Sequence, residues 1–563
     1  MSALGGLLLS AGPALAAGGP IMPLSQVHAG MDCTGETVVQ GTTISSFNVH
    51  VMDVVQDPIE GPRILINVSG PVVDRTGVAE GYSGSPILCD DGSGTMRNIG
   101  AISESIGEYG DKVALATPIQ QMLGEPVSPP SSAPRLSVRG RPLRGPLTIG
   151  GLSPSLLALV QRGAQRAGRT IVAAPSGSSL SFPVQNLVPG ASVATQYSTG
   201  TVAIGAIGTV TYRDGNVVYA FGHPLDEVGR RALVLTDAYI YYVVNNPIGL
   251  EAVSYKLGVP GHAEGTLSSD TPNAVVGTVG AQPPLTRVNV VARDLDTGRA
   301  ISEPTQIADE TNIGDPLGSS LLGLVAPLAV AQAGTDVYNG APSGETGRMC
   351  LSVKLREAHQ PFQFCNRYVT GGLPGGGGLG LPPALALLGA SDVTTALGLL
   401  DTETFAQLHV TRVNVHLDAG RGQHQATILG ARGPARARAG SLVKVKLKIQ
   451  RYRGATRTLA LRVRIPRNAV GRVTVKLSGG GALASPDALS NALSNALFGI
   501  GFSFGGPTPK PPNSLKALRK QFERVGSYDG LQGRIGHRKA KHLYRDPSLL
   551  ITGQAKLHLL VTP

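Results

Sequence analysis

Short runs that alternate apolar and polar residues recur along the chain between glycines and prolines, and this pattern restricts the possible folds more than any other feature. Examples are Phe47–Met52, Val217–Phe221 and Arg462–Ile465. Alternation with a period of two is typical of strands with one buried face, and glycine and proline favour the turns that join such strands. The chain holds 75 glycines and 41 prolines, and it has no tryptophan. This combination predicts a mainly β protein, and 563 residues predict more than one domain.

The stretch Gly81-Tyr82-Ser83-Gly84-Ser85-Pro86 is the first candidate for chemistry. Glycines around a serine let the backbone fold back sharply, so that neighbouring amides can point at one spot. This is what a nucleophilic serine on a tight turn needs. The stretch is not an α/β-hydrolase elbow, because Ser85 stands where that motif has its second glycine. A surface turn without chemistry is the alternative that six residues leave open.

The second candidate is Gly222-His223-Pro224, which follows the strand-like run Val217–Phe221. A histidine held between glycine and proline directly after a buried strand has a restricted orientation, which suits a general base. The alternative is a packed or surface histidine. The chain has neither H-E-x-x-H nor C-x-x-C, and so we expect no metal and no cofactor.

Residues 1–17 are apolar and end in Ala14-Leu15-Ala16, a pattern typical of a signal peptide, although the positive first part is missing. A disordered tail is the alternative. Beyond this segment we expect no transmembrane segment. The four cysteines fit an exported protein with two disulfides, Cys33–Cys89 and Cys350–Cys365, and free buried thiols are the alternative. The predicted location is secreted or at the cell envelope.

The distal half divides by composition. Residues 125–146 are rich in proline, serine and arginine and predict a connection, and residues 296–370 predict an extension that holds Cys350 and Cys365. Residues 371–383 predict a Gly/Pro-rich linker, and residues 405–563 a basic β-sandwich-like module. Helices are predicted from Pro154 to about Arg166, from about Leu321 to Val330, and from Ser514 to about Val525.

The module has no acidic residue between Arg432 and Arg467, although the net charge of the whole chain is only +12. Such a face attracts anions, which include anionic cell-envelope polymers, acidic lipid head groups and nucleic acid. No interleaved aromatic residues of the kind that single-strand binders use are present, and export also argues against nucleic acid as a partner. A solvated strand face is the alternative.

Both candidate motifs together, with Gly208–Thr211, resemble the SpoIVB (stage IV sporulation protein B) serine peptidase family, which is similar to the chymotrypsin-like clan. The resemblance covers roughly residues 20–295 and implies a SpoIVB-type peptidase domain with a chymotrypsin-like double β-barrel. In this chain the serine motif precedes the histidine motif, which implies a permuted order of the two barrels. A catalytic triad depends on geometry and not on chain order.

The resemblance implies that Ser83 is the nucleophile and His223 the general base. For the acid we expect Asp270, which follows His223 within the same predicted barrel. Asp74, shortly before the serine, and Asp226, shortly after the histidine, are the alternatives. All three also fit ordinary turn or cap residues.

The expected function is that of an exported serine endopeptidase that acts on protein or peptide substrates through an acyl-enzyme, with self-cleavage as a further hypothesis. The amides of Gly81 and Ser83 would form the oxyanion hole. A catalytically silent protease-like protein that docks at the cell envelope through its basic module is the alternative. A third interpretation is a wall-associated β protein in which the serine turn is incidental.

Overall fold

A computed structural model describes residues 18–563 of the chain except residues 107–111, 128–132, 135–139, 144, 167–168, 175–181, 247–253, 339–341, 372–381, 480–510, 527–529, 537, 545 and 547–548. The described part is mainly β, as the alternating runs predicted. It divides into two compact units. Unit 1 comprises Met1–Ile149, Gly168–Tyr197 and Ile204–Pro284, and unit 2 comprises Gly150–Ala167, Ser198–Ala203 and Leu285–Pro563.

The strands of unit 1 and those that begin in it are β1 Asp32–Val38, β2 Ile44–Asp57, β3 Gly61–Ser69, β4 Pro86–Asp90, β5 Met96–Ser105, β6 Val113–Pro118, β7 Arg141–Pro142, β8 Leu147–Gly150, β9 Ile171–Ala173, β10 Ser192–Gly200, β11 Ala203–Asp214, β12 Val217–Ala220, β13 Gly229–Val244, β14 Tyr255–Thr271 and β15 Ala274–Val279. Its helices are a 3₁₀ turn, Leu24–Gln26, and the short α1, Ile119–Met122.

The first six strands close into a barrel. Their order is β1-β2-β3-β6-β5-β4, every neighbouring pair is antiparallel, and β4 pairs back onto β1. Successive side chains of a strand point to opposite faces, so a closed ring encloses one face of every strand. The enclosed residues form a continuous apolar core that includes Val49, Val51, Ile64, Ile66 and Ile87. The barrel therefore leaves the loop between β3 and β4, which carries Ser83, at one of its ends.

Strands β10 to β15 also pair in a cyclic order. The sequence of neighbours is β10-β13-β14-β15-β12-β11, and β11 pairs with β10 again. A hairpin joins β11 and β12, and Asp214 pairs with Val217 at its turn. His223 follows β12 directly. Unit 1 thus agrees with the expected double-barrel type of fold, with the serine on the first ring of strands and the histidine on the second.

Unit 2 begins with helix α2, Pro154–Arg166, and then contains a mixed sheet. The sheet has the order β19-β18-β20-β16-β17, and β16 and β20 are parallel. Its strands are β16 Leu285–Asp294, β17 Ala300–Ala308, β18 Glu345–Leu355, β19 Phe362–Thr370 and β20 Val410–Arg421. Two apolar helices, α3 Leu321–Asp336 and α4 Ala384–Asp401, pack on each other and on this sheet. A 3₁₀ turn, Thr311–Ile313, lies between β17 and α3.

The last part of unit 2 is a β-sandwich. One sheet has the order β24-β23-β21-β28 and the other β22-β29-β25-β26-β27. The strands are β21 Gln425–Arg432, β22 Arg436–Arg438, β23 Leu442–Arg451, β24 Thr456–Arg464, β25 Gly471–Ser478, β26 Leu531–Ile535, β27 Arg538–Tyr544, β28 Leu550–Thr552 and β29 Gln554–Thr562. Apolar side chains from both sheets share one core. Helix α5, Leu515–Val525, packs Phe522 against Phe362 and Phe364 of β19.

Both predicted disulfides are present. Cys33 on β1 is bonded to Cys89 on β4, and Cys350 on β18 is bonded to Cys365 on β19. Disulfides persist in oxidising compartments, and so this pair of bonds indicates an oxidising environment for the folded chain. The predicted signal peptide and most of the predicted linker lie outside the described residues.

The predicted domain boundaries differ from the units. Strand β16 was expected to end the peptidase domain, but it belongs to unit 2, where it pairs with β20. The expected extension, residues 296–370, is not separate either, because β17, β18 and β19 lie in the same sheet as β16. A parallel partner that comes more than 100 residues later leaves no local signal in the sequence.

Helix α4 was not among the helices that the sequence predicted. It is 18 residues long and, by length and composition alone, apolar enough to cross a membrane. In the structure half of this helix is buried, and it packs against α3 and the sheet. The core helix of a folded domain has the same composition, because such a helix is apolar on most sides.

We expect Arg63→Met to destabilise the first barrel strongly. Arg63 is 1% exposed, and its Nε donates to Oε1 of the buried Glu104 at 2.9 Å. Removal of one partner of a buried ion pair typically costs about 3–5 kcal/mol, because the other charge stays buried. The matched control is Arg97→Met, whose ion pair with Asp91 is partly exposed and should cost about 1 kcal/mol or less. Equal shifts of the urea unfolding midpoint in both variants would contradict this.

Candidate functional site

The serine turn has an unusual set of free amides. Gly81 and Gly84 adopt positive φ angles of 90° and 89°, which L-residues with a side chain rarely take. The amides of Tyr82, Gly84 and Ser85 donate to the carbonyls of Ala79, Ile102 and Tyr82. Within the described part of the chain, the N–H groups of Gly81 and Ser83 have no hydrogen-bond acceptor. These are the two amides that the sequence predicted as an oxyanion hole.

The serine and histidine motifs lie against each other, and Thr209 of β11 joins them. The amide of Thr209 donates to the carbonyl of Ser83 at 2.9 Å, and its Oγ1 donates to the carbonyl of Gly81 at 3.0 Å. The carbonyl of Thr209 in turn accepts the amide of Phe221 at 3.3 Å. One residue therefore fixes the turn before Ser83 and the strand end before His223.

A second contact joins the same two motifs. A methyl group built on Gly84 would lie 2.0 Å from the carbonyl oxygen of Thr209 and 2.5 Å from the amide nitrogen of Phe221. Gly84 also donates its amide to Ile102, and the carbonyl of Ile102 lies close to Gly222. Only glycine fits at position 84, because the backbone of the histidine motif occupies the place of a side chain.

The backbone that leads into His223 is strained. Phe221 has a φ of 70°, in the left-handed region that bulky residues avoid, and Gly222 follows with 69°. Nδ1 of His223 lies 2.7 Å from the carbonyl oxygen of Pro224, which can only accept, so Nδ1 carries the hydrogen. In the neutral ring Nε2 then has the lone pair, which is the tautomer that a general base at Nε2 needs. Strain of this kind persists where surrounding structure enforces one orientation.

Asp270 is close to the histidine loop, but it has another role than the one expected. Its carboxylate accepts the backbone amides of Leu225, Asp226 and Glu227 at 2.6 to 2.8 Å. At Nδ1 of His223 the acceptor is a backbone carbonyl instead of this carboxylate. Asp270 therefore fixes the loop that follows the histidine.

The two alternative acids lie elsewhere. Asp226 is held by Arg231, Arg169 and the hydroxyl of Tyr197. Asp74 forms an exposed ion pair with Lys112 at 2.7 Å, and the lysine lowers the pKa of its carboxyl. Both therefore serve local electrostatics, which agrees with the turn and cap roles that the sequence left open for them.

Lys256 is a buried cation beside the serine turn that sequence reasoning missed. It is 2% exposed, and its stem packs against Gly81. Among the described residues its Nζ has two hydrogen-bond partners, the hydroxyls of Thr37 at 2.7 Å and Thr209 at 3.1 Å. Burial lowers the pKa of Lys256 to about 7. The hydroxyl of Thr209 accepts from Nζ of Lys256 and donates to the carbonyl of Gly81. Lys256 is therefore connected to the serine turn through one hydroxyl.

No sequence signal identifies Lys256 as buried. It lies in an alternating run, Tyr255-Lys256-Leu257, and lysines on strands usually reach solvent along their stems. The stretch Gly208–Thr211 belonged to the motifs that carried the resemblance, but nothing in it distinguished Thr209 from Thr211. Only the strand pairing brings Lys256, Thr37 and Thr209 together.

The site is closed in this structure. Ser83 is 1% exposed and His223 4%. The short strand β7 pairs with Glu104 and Ser105, and the chain then runs past the serine turn, where a methyl group on Gly145 would lie 3.7 Å from the amide nitrogen of Gly81. Burial also raises the pKa of the neighbouring Glu80 to about 7, and Arg141 on β7 opposes this shift. The buried hydroxyl of Ser83 is therefore not accessible to a substrate in the arrangement described.

Among the described residues, no group of three or more His, Cys, Asp or Glu side chains could hold a metal ion.

The chemistry that the arrangement of Ser83, its turn and His223 can support is acyl transfer. It offers a serine hydroxyl on a tight turn, two amides on the same turn without an acceptor among the described residues, and a histidine with a fixed tautomer on the adjoining motif. The hydroxyl of Ser83 has no hydrogen-bond partner among the described residues, so the serine and His223 are not hydrogen-bonded to each other in this structure.

We expect Gly84→Ala to separate the two motifs and to destabilise unit 1. A methyl group there meets two backbone atoms within 2.5 Å, in addition to the positive φ. Gly92→Ala is the matched control, because Gly92 has a φ of 86° but open space around it. The control should cost about 1–2 kcal/mol from backbone strain alone. The prediction fails if urea unfolding gives the same midpoint for both variants.

We expect Lys256→Met to make the chain more stable at pH 7. The folded pKa is about 7 and the ordinary value 10.5, so between these values the unfolded chain binds one more proton, and stability rises with pH. Methionine removes this penalty, and the gain should therefore shrink as the pH approaches 10. Unfolding midpoints across this range measure it, with the exposed Lys112→Met as control. A less stable methionine variant, or a constant difference, would contradict the prediction.

The comparisons with known proteins add no relative. No family model, no curated protein and no solved structure matches the chain. What the site can do is therefore inferred from its own geometry.

Proposed function

We propose that the chain is a serine endopeptidase of the SpoIVB type, active in an exported form. Ser83 is the nucleophile and His223 the general base. His223 takes the proton of the serine hydroxyl at Nε2 as Oγ attacks a peptide carbonyl. The resulting acyl-enzyme is hydrolysed by water, with His223 again as the base.

The observation that carries the proposal is the pair of free amides in the serine turn. A buried N–H group without an acceptor is rare in a folded protein, because it loses a hydrogen bond to water. Here two such groups, those of Gly81 and Ser83, belong to one turn and flank the same serine. When Oγ of Ser83 attacks a substrate carbonyl, the oxyanion that forms on the carbonyl oxygen would accept both amides, which is worth roughly 3–4 kcal/mol per donor in known acyl-transfer enzymes.

Ser83 and Ser85 make a useful internal comparison. Both hydroxyls are buried and lack a hydrogen-bond partner among the described residues. The amide of Ser85 donates to the carbonyl of Tyr82, whereas the amide of Ser83 has no acceptor among the described residues. Only Ser83 therefore combines a hydroxyl with its own oxyanion donor.

The proposed enzyme is slow. A backbone carbonyl at Nδ1 of His223 fixes the tautomer, but it does not stabilise the imidazolium as a carboxylate would. Loss of the acid in a Ser-His-Asp triad lowers turnover by about four orders of magnitude. The burial of Ser83 further limits the rate, since the site must open before a substrate reaches the hydroxyl.

The experiment is covalent labelling with a fluorophosphonate, followed over hours, together with hydrolysis of fluorescent casein. We expect wild type and Ser85→Ala to react, and Ser83→Ala to lose both activities. His223→Ala should lower both by about two orders of magnitude, because the contribution of an acid is already missing and the losses within a triad are not additive. His262→Ala is the control histidine, because its ring pairs with Asp237 away from the serine turn.

Two outcomes contradict the proposal. If labelling survives in Ser83→Ala but is lost in Ser85→Ala, the nucleophile is Ser85 and not Ser83. A folded wild type that neither labels nor cleaves casein would instead support the catalytically silent, protease-like binding protein.

A further inference from the structure

The sandwich of unit 2 has an extreme charge distribution. From Arg432 to Lys476 the sequence holds 14 lysines and arginines and no aspartate or glutamate. Among the described residues that follow in the sandwich and in α5, the acidic ones are Glu523 and Asp546. The cations of this stretch therefore have almost no local counter-charges.

Strand register concentrates these cations on the outer face of the first sheet, which consists of β21, β23, β24 and β28. Lys444, Lys446 and Lys448 alternate with buried residues on β23 and are exposed. Lys444 lies directly opposite Arg462 on β24, and Lys446 lies opposite Arg432 on β21. We call this face, with Arg464, the first basic face.

The second sheet repeats the arrangement on the other side of the core. Lys476 on β25 lies opposite Lys556 on β29, and on its other side it lies opposite Arg534 on β26. These three cations form a row across three neighbouring strands. Arg534 and Lys556 are exposed, and Lys476 is half-buried. Arg472, which lies on β25 four residues before Lys476, is also exposed. We call this the second basic face.

Such rows oppose stability. Directly opposed residues on antiparallel strands have Cβ atoms about 4.5–5.5 Å apart, and like charges at these positions are destabilising. A solvated strand face needs no such rows, since alternating signs would be more favourable. A bound anion between the rows turns the repulsion into attraction.

We propose that the sandwich binds a linear anionic polysaccharide, which contacts both basic faces. A membrane is flat and can touch only one face of a sandwich, whereas a polymer can follow both. Cations on alternate positions of a strand are about 7 Å apart, a spacing that suits charges repeated along an extended chain. The two disulfides indicate an oxidising compartment, and the strands of the faces carry no interleaved aromatic residues for base stacking, which argues against nucleic acid.

The inference does not depend on Ser83, and it is tested on the full chain. The probe is fluorescent heparin, titrated at several salt concentrations around 0.1 M. The variant of the first basic face is the triple substitution Lys444→Gln/Lys446→Gln/Arg462→Gln. The variant of the second basic face is Lys476→Gln/Lys556→Gln/Arg534→Gln. The control triple is Arg299→Gln/Lys354→Gln/Arg356→Gln, which removes the same charge from exposed positions outside the sandwich.

We expect each face variant to weaken heparin binding at least about tenfold, and to lower the slope of log Kd against log salt by about two, since each lost contact removes about 0.7–0.9 from the slope. The control triple should change the affinity by less than about threefold. Thermal unfolding of the face variants should be unchanged or shifted upward, because each loses repulsion, so misfolding is distinguishable from loss of binding.

Other results overturn the inference. Equal losses in the control triple would show that net charge alone attracts heparin. Tighter binding to phosphatidylserine vesicles, reduced by only one of the two face variants, would assign a membrane surface instead. Tighter binding to a single-stranded oligonucleotide would assign nucleic acid.

Discussion

The hydrogen bonds of Thr209 are the constraint on which the candidate site depends. Its amide, hydroxyl and carbonyl bind Ser83, Gly81 and Phe221, so that one residue of β11 connects a loop of the first barrel with the strand end that precedes the histidine. A barrel end by itself leaves its loops free to vary. Here the serine turn has a defined place because a strand of the second ring supplies the partners for its carbonyls, and because Gly84 leaves room for that strand.

The sequence predicted the strands and the serine turn. It did not predict the contacts that depend on residues far apart in the chain. Alternation and turn residues predicted the strands, and the glycines around Ser83 predicted a tight turn, which the structure forms with positive φ angles at Gly81 and Gly84. Asp270 stays a prediction as the acid, since a spacing of 47 residues between His223 and Asp270 says that both belong to one barrel but not which atoms the carboxylate reaches. In the structure this carboxylate accepts the amides of the loop that follows the histidine. Lys256 was missed for a similar reason, because burial of a lysine is a property of its neighbours and not of its own segment.

Two regions of the chain contain charged groups that lower the stability of the fold. Lys256 is buried with hydroxyl partners only among the described residues, and the sandwich places like charges opposite one another. Both features persist at positions where methionine or glutamine would fit a strand equally well. Groups that destabilise a fold and yet have a precise geometry are most simply explained by a task that needs the charge, at the serine turn in one case and on the sandwich surface in the other.

Strand β7 has a consequence for any peptide that approaches Ser83. It adds itself beside β5 as an extended segment, and the chain continues to Gly145 next to the amide of Gly81. An extended peptide that needs this amide would have to compete with it. A segment tethered to its own binding place by a short stretch of chain has an effective concentration on the order of millimolar. The chain itself therefore lies next to the amide of Gly81 at all times, and a free peptide would have to enter a space that Gly145 already adjoins.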